Sequence, residues 1–175
     1  MLKIFVNTWG NYNVNGADGG RWLDLPMDPD ELEETLEDIA AAMGDNDPEW
    51  AVHDYEWADE FDGGDVDECG NIMDLNEYAQ RVQDLDKWQL ETYAAAVEYW
   101  GREYVDLDNL DEYNLYSHIT NEYDLGEYFA TECGCLDLDK LGYLANYFDF
   151  AAYGRDINLE TDGGFTSYGW IECVR

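Results

Sequence analysis

Basic residues are what this sequence lacks most. Its 175 residues include 8 Lys and Arg against 42 Asp and Glu, a formal net charge of −34. From Trp22 to Gln80 there are 21 acids and no Lys or Arg, and from Glu103 to Asp139 there are 11 acids and again no base. Eight bases cannot form a phosphate-neutralising stripe against that field, so nucleic acid is excluded as a direct ligand. Long apolar runs are missing too. None approaches the roughly 18 residues of a spanning helix, so no membrane contact is expected. The start MLKIFVNTW has one Lys and then reads as a strand, not a signal peptide. A cytoplasmic protein is expected, with Cys69, Cys133, Cys135 and Cys173 as reduced thiols.

Catalytic signatures are absent as well. There is no nucleophile elbow, no His-Glu-x-x-His and no phosphate-binding glycine loop. A hydrolytic carboxylate pair is open to any two of 42 acids, and that abundance makes each pair uninformative. Cys133-Gly-Cys135 has the wrong spacing for a zinc knuckle, and His53 and His118 lack spaced partners. Asp65 to Asn76 (DVDECGNIMDLN) resembles a calcium-binding EF-hand loop in its first, third, sixth and eighth positions. It puts Cys69 at the fifth and Asn76 at the twelfth, where a bidentate Glu is needed. An ordinary acidic linker is the better reading. No enzyme, metal or cofactor is expected.

What is present is an acidic chain that looks folded. A run of one sign usually marks a disordered tail. Here it is interleaved with Trp22, Leu32, Leu36, Ile39, Trp50, Val52, Tyr55, Trp57 and Phe61. Acidic tails lack such residues, because a chain without apolar surface to bury cannot offset its ordering entropy. Self-repulsion at this charge opposes a compact shape, for which the radius of gyration would be about 16 Å, so an elongated body is expected. At duplex charge density, one per ~1.7 Å, the net charge would line about 58 Å, or roughly 17 base pairs. Halophilic adaptation or simple solubility would also account for acidity, but not for acids on short helices beside so many aromatics.

Leu2 to Trp9 alternates like a strand, Gly10 to Gly20 reads as turn or loop, and Arg21 to Leu25 returns as a second strand ended by Pro26. Asp28 then caps a helix, with Pro29 at its first position and Glu31 as a capping-box-like partner. Leu32, Leu36, Ile39 and Met43 recur at helical spacing before Gly44, and Trp50 to Tyr55 reads as a third strand. Asp62 to Gly70 is a linker by composition. Asp74 and Glu77 suggest a helix lined by Leu75, Tyr78, Val82 and Leu85, and Asp86 a further one through Trp100. Beyond it come short helices at Asp108 to Leu115 and Leu125 to Glu132, a helix over Leu138 to Phe150, and one closing strand over Phe165 to Val174. The expected fold is α+β in three small domains: residues 1–61 (strand, strand, helix, strand), 62–102 (helical) and 103–175 (mixed). Most Tyr and Trp should be core; those left exposed are candidates for partner contacts.

Three stretches, IFVNTWGNYNVNGADGGRWLDLP (Ile4 to Pro26), WAVHDYEW (Trp50 to Trp57) and LGYLANYFDFAAYGRDINLE (Leu141 to Glu160), precede GGFTSYGW (Gly163 to Trp170). In order and acidity the chain resembles the ArdA antirestriction family, carried by mobile elements. Tyr147, Phe148, Asp149, Tyr153, Gly154, Arg155 and Asp156 resemble that family's antirestriction motif. The resemblance implies an elongated three-domain dimer with its two-fold near the C-terminal domain. It implies a mimic of bent duplex DNA, held in the cleft of type I restriction–modification enzymes against their specificity and modification subunits.

The physics is coherent with that implication. A cleft lined by Lys and Arg attracts a rigid anion as it attracts DNA, with salt-sensitive steering. Base sequence is bypassed, since phosphate contacts carry none directly. The expected partner-binding acids are Asp30, Glu33, Glu34, Glu37 and Asp38 on the first long helix, Asp62, Asp65 and Asp67 in the linker, and Asp108, Asp111 and Glu112. The rival reading is an acidic scaffold or chaperone-like module for basic DNA-associated proteins, which would bind polycations in a graded way.

Overall fold

A computed structural model of the chain describes residues 2–58, 63–133 and 138–174, and the fold is α+β. The chain divides into two compact units, Met1–Asp86 and Lys87–Arg175.

The first unit is built on a three-stranded antiparallel sheet in the order β2 (Arg21–Leu25), β1 (Leu2–Thr8), β3 (Trp50–Trp57). The alternation of β1 sends Leu2, Ile4 and Val6 to one face, where all three are fully buried. They share a core with Leu23, Leu25 and Val52, and with Leu32 and Ile39 of α2 (Pro29–Met43). Asp28 and Gly44 act as the sequence signals: Asp28 accepts from the Asp30 and Glu31 amides, and Gly44 closes the helix in the left-handed region at φ 71°, but among the described residues the Glu31 carboxylate makes no reciprocal capping-box bond.

Where a loop is expected after β1, the chain forms a short helix, α1 (Trp9–Asn15). Its cause is an asparagine ladder. Thr8 caps Asn11, Asn11 donates to buried Asn7, Asn15 donates to Asn11, and Asn7 donates to the Gly16 carbonyl. The Thr8 bond satisfies an amide that a seven-residue helix leaves open at its start, and Asn7 takes the carbonyl of the closing Gly16.

Segment 63–70 runs along β3 rather than free of it. The Val52 amide donates to the Glu68 carbonyl, Trp57 Nε1 to the Gly64 carbonyl and the Tyr55 hydroxyl to Asp65. The following helix, α3 (Ile72–Gln83), starts earlier than its Asp74 signal, because Asn71 takes the cap by accepting from the Met73 amide. Its buried face is Ile72, Asn76, Ala79 and Val82, and Ile72 and Ala79 join the core of the first sheet. Leu75 is only partly buried.

Asn76 is the polar member of that face. Its Nδ2 donates to the Met27 carbonyl at 2.9 Å, and its Oδ1 accepts from the Met27 amide at 2.8 Å. One amide thus pins the β2–α2 turn to α3. Asn76→Ala is expected to cost about 2 kcal/mol, since two backbone groups lose their partners. Urea unfolding of the full chain checks it, and an unchanged midpoint would show that water replaces the amide there.

The second unit has its own antiparallel sheet, in the order β4 (Tyr113–Tyr116), β6 (Gly169–Cys173), β5 (Gly163–Thr166). α4 (Lys87–Trp100) packs on all three strands and buries Tyr93, Ala94, Ala95, Ala96 and Val97. A second core gathers Ile119, Leu125 and Trp170 with Tyr116, Tyr128, Phe129, Ile157 and Phe165.

Three expectations need correction here. Leu115 lies in β4, preceded by a 3-10 segment, Leu107–Glu112. The stretch 138–150 is not one helix: a 3-10 segment, Leu138–Tyr147, is broken at Gly142 (φ 55°), and α6 (Phe150–Glu160) starts afresh under an Asp149 cap. The closing strand is a hairpin, turned at Ser167 and Tyr168 with Gly169 at φ 130°. The last two errors share one origin. Periodicity was continuous across a glycine whose backbone geometry breaks the element.

Candidate functional site

Among the described residues, α2 carries a dense set of carboxylates without partners. At 100° per residue, Leu32, Leu36, Ile39, Ala40 and Met43 fall within one arc turned to the core. Asp30, Glu31, Glu33, Glu34, Glu37 and Asp38 fall within roughly 160° on the opposite side. All six are exposed. Among the described residues, none of these six carboxylates has a hydrogen-bond or ion-pair partner. From Asp30 to Asp38 the helix rises roughly 12 Å, about one charge every 2 Å. Duplex DNA carries one per ~1.7 Å. Glu31, omitted from the expected set, belongs to the same surface.

Many other acids are already engaged within the chain. Asp149 caps α6 by accepting from the Ala152 amide. Glu98 of α4 holds the β5–β6 turn, accepting from the Ser167 amide and hydroxyl. Asp162 accepts from Trp100 Nε1 at 3.2 Å. Half-buried Glu172 accepts from the Tyr116 hydroxyl at 2.9 Å and from Asn114. Burial, and then this carboxylate, push the Tyr116 hydroxyl far above its ordinary value of 10.0. These carboxylates hold the second unit together.

The other expected partner-binding acids are placed differently. Asp65 accepts from the Tyr55 hydroxyl at 3.1 Å, and Asp67 from the Cys69 amide at 3.0 Å, though both stay exposed. Asp62 lies outside the described residues. Asp108 and Asp111 are exposed in the 3-10 segment before β4, and Glu112 is half-buried there. The fold therefore brings the five α2 acids onto one face, with Asp65 and Asp67 elsewhere in the same unit, and Asp108, Asp111 and Glu112 in the other.

The motif-like residues 147–156 also split. Tyr147 is 80% exposed, with Tyr143 at 76% on the same 3-10 segment. Arg155 and Asp156 are exposed and 3.8 Å apart. Phe148 stacks edge-on to Phe150 and Tyr153. Gly154 is buried, because α6 crosses α5 (Glu122–Thr131) backbone to backbone there. A Cβ at Gly154 would overlap the Glu122 carbonyl, and one at Gly126 would overlap the Phe150 carbonyl. Gly126 was the missed residue. A glycine inside the helical pattern LGEYFATE is the signal that points to it.

A family profile described as Antirestriction protein (ArdA) matches residues 4–172. The chain belongs to the ArdA family. The match takes in both units, the α2 carboxylates and the Gly126–Gly154 crossing. ArdA membership makes this an antirestriction protein. No curated protein matches the chain in sequence. No helix among the described residues is long and apolar enough to cross a membrane.

Proposed function

We propose that this ArdA protein blocks type I restriction–modification enzymes by standing in for DNA in their binding cleft. The observation that supports it most directly is the α2 surface: six exposed carboxylates without partners among the described residues, at close to duplex charge spacing. Like charges at this density cost folding energy, so a fold that keeps them unpaired is arranged for an external cation. The Lys and Arg of a DNA-binding cleft are such a cation. The contacts lie with the specificity and modification subunits, which bind DNA. The protein acts as a homodimer and as an inhibitor rather than a catalyst. Exposed Tyr143 and Tyr147 offer the apolar surface for self-association near the motif.

The test is competition. Full-length protein is titrated into a type I methyltransferase holding labelled duplex, at two salt concentrations. Stoichiometric release of DNA, weaker at high salt, is expected. Retention of the duplex at a large excess of protein rejects the proposal for that enzyme. Equal binding to any polycation would favour an acidic scaffold instead.

A further inference from the structure

Along one edge of the α2 carboxylates the first unit has a groove of about 800 Å³. It lies where α2 meets the start of α3. Leu36, Trp50 and Met73 give it an apolar lining, and Glu33, Glu37 and Asp45 stand along it as acids. Small residues make the space: Ala40, Ala41 and Gly70 also line it. Met73 at its mouth is 37% exposed, although α3 has a core to pack on.

We infer that this groove takes an apolar side chain carried on a basic segment of the protein partner. Charge complementarity selects the occupant. A neutral apolar ligand gains nothing from Glu33, Glu37 and Asp45, and a bare polycation gains nothing from Leu36, Trp50 and Met73. A segment with a large apolar residue flanked by Lys or Arg satisfies both, as anchors inside charged rims do in protein interfaces. Duplex DNA has no such anchor. The groove would therefore add a contact that DNA itself does not make, next to the carboxylates that imitate it. This inference rests on the DNA-cleft reading above, since that cleft supplies the basic segment.

Met73→Glu separates apolar anchoring from charge. Position 73 is in the first turn of α3, after the Asn71 cap, where an acid suits the helix dipole. If charge alone governs binding, the added carboxylate strengthens displacement of duplex from the methyltransferase. If the groove takes an apolar side chain, displacement weakens about tenfold, and the loss persists at high salt. Ala41→Trp, which fills the groove from an exposed helix position without changing charge, is expected to weaken it equally. Wild-type displacement with no loss in either variant overturns the groove and leaves the DNA-cleft reading standing. No displacement by wild type removes both. Unchanged displacement with an altered sedimentation coefficient would assign the groove to a second copy of this chain and also overturns the inference.

Discussion

A chain with Glu33, Glu34, Glu37 and Asp38 converted to their amides is expected to be more stable and a far weaker competitor of DNA. The two effects share one cause. On α2 the pairs Asp30/Glu34, Glu33/Glu37 and Glu34/Asp38 lie four residues apart with like charge, each costing roughly 0.2–0.5 kcal/mol. Their amides fill the same volume and leave no group unpaired, since none of the four side chains has an internal partner among the described residues. The first unit should gain about 1 kcal/mol, read by urea unfolding. Displacement of duplex should weaken on the order of 100-fold at low salt, within the range of electrostatic steering, and by less at high salt. A stability loss would mean that these carboxylates hold the fold. Unchanged displacement would mean that the enzyme is met by another surface.

Gly154→Ala is expected to damage the second unit severely while leaving the net charge untouched. α5 and α6 approach through Gly126 and Gly154, and the new Cβ would meet the Glu122 carbonyl and lie 2.6 Å from the Gly126 nitrogen. Backbone cannot yield as a flexible side chain can, so the helices must separate. Overpacking of this kind costs about 3 kcal/mol. Thermal unfolding should show the loss, and antirestriction should fall with it. Tyr147→Ala is the contrast. At 80% exposure it should change stability by no more than about 0.5 kcal/mol. If it nevertheless abolishes protection of unmodified DNA, the motif has a partner-facing half and a structural half. If Gly154→Ala leaves the melting temperature unchanged, the close crossing is not needed for folding.

Legibility in the sequence followed the range of each interaction. α2 was readable from end to end because Asp28, Pro29 and Gly44 act within a few residues of the groups they satisfy. β1, β2 and β3 were readable because alternation marks a half-buried strand. The β5–β6 hairpin and the break at Gly142 were not, since a hydrophobic pattern runs across both. The buried face of α3 was misplaced because Asn76 is polar and its amide finds its backbone partners at Met27, 49 residues away. Charge alone also made all acids look equivalent, although Glu98 and Glu172 are held by Ser167 and Tyr116.

By itself, then, the sequence determined the net charge, the capped and amphipathic α2 with its outward acids, and the likeness to ArdA. Those depend on composition and on neighbours close in the chain. Only the tertiary structure decided which carboxylates remain free. A carboxylate is spent when a donor from a distant element reaches it, as Ser167 reaches Glu98. The tertiary structure alone also made glycine obligatory at 126 and 154, because the Cβ that is excluded there would collide with a helix from elsewhere in the chain.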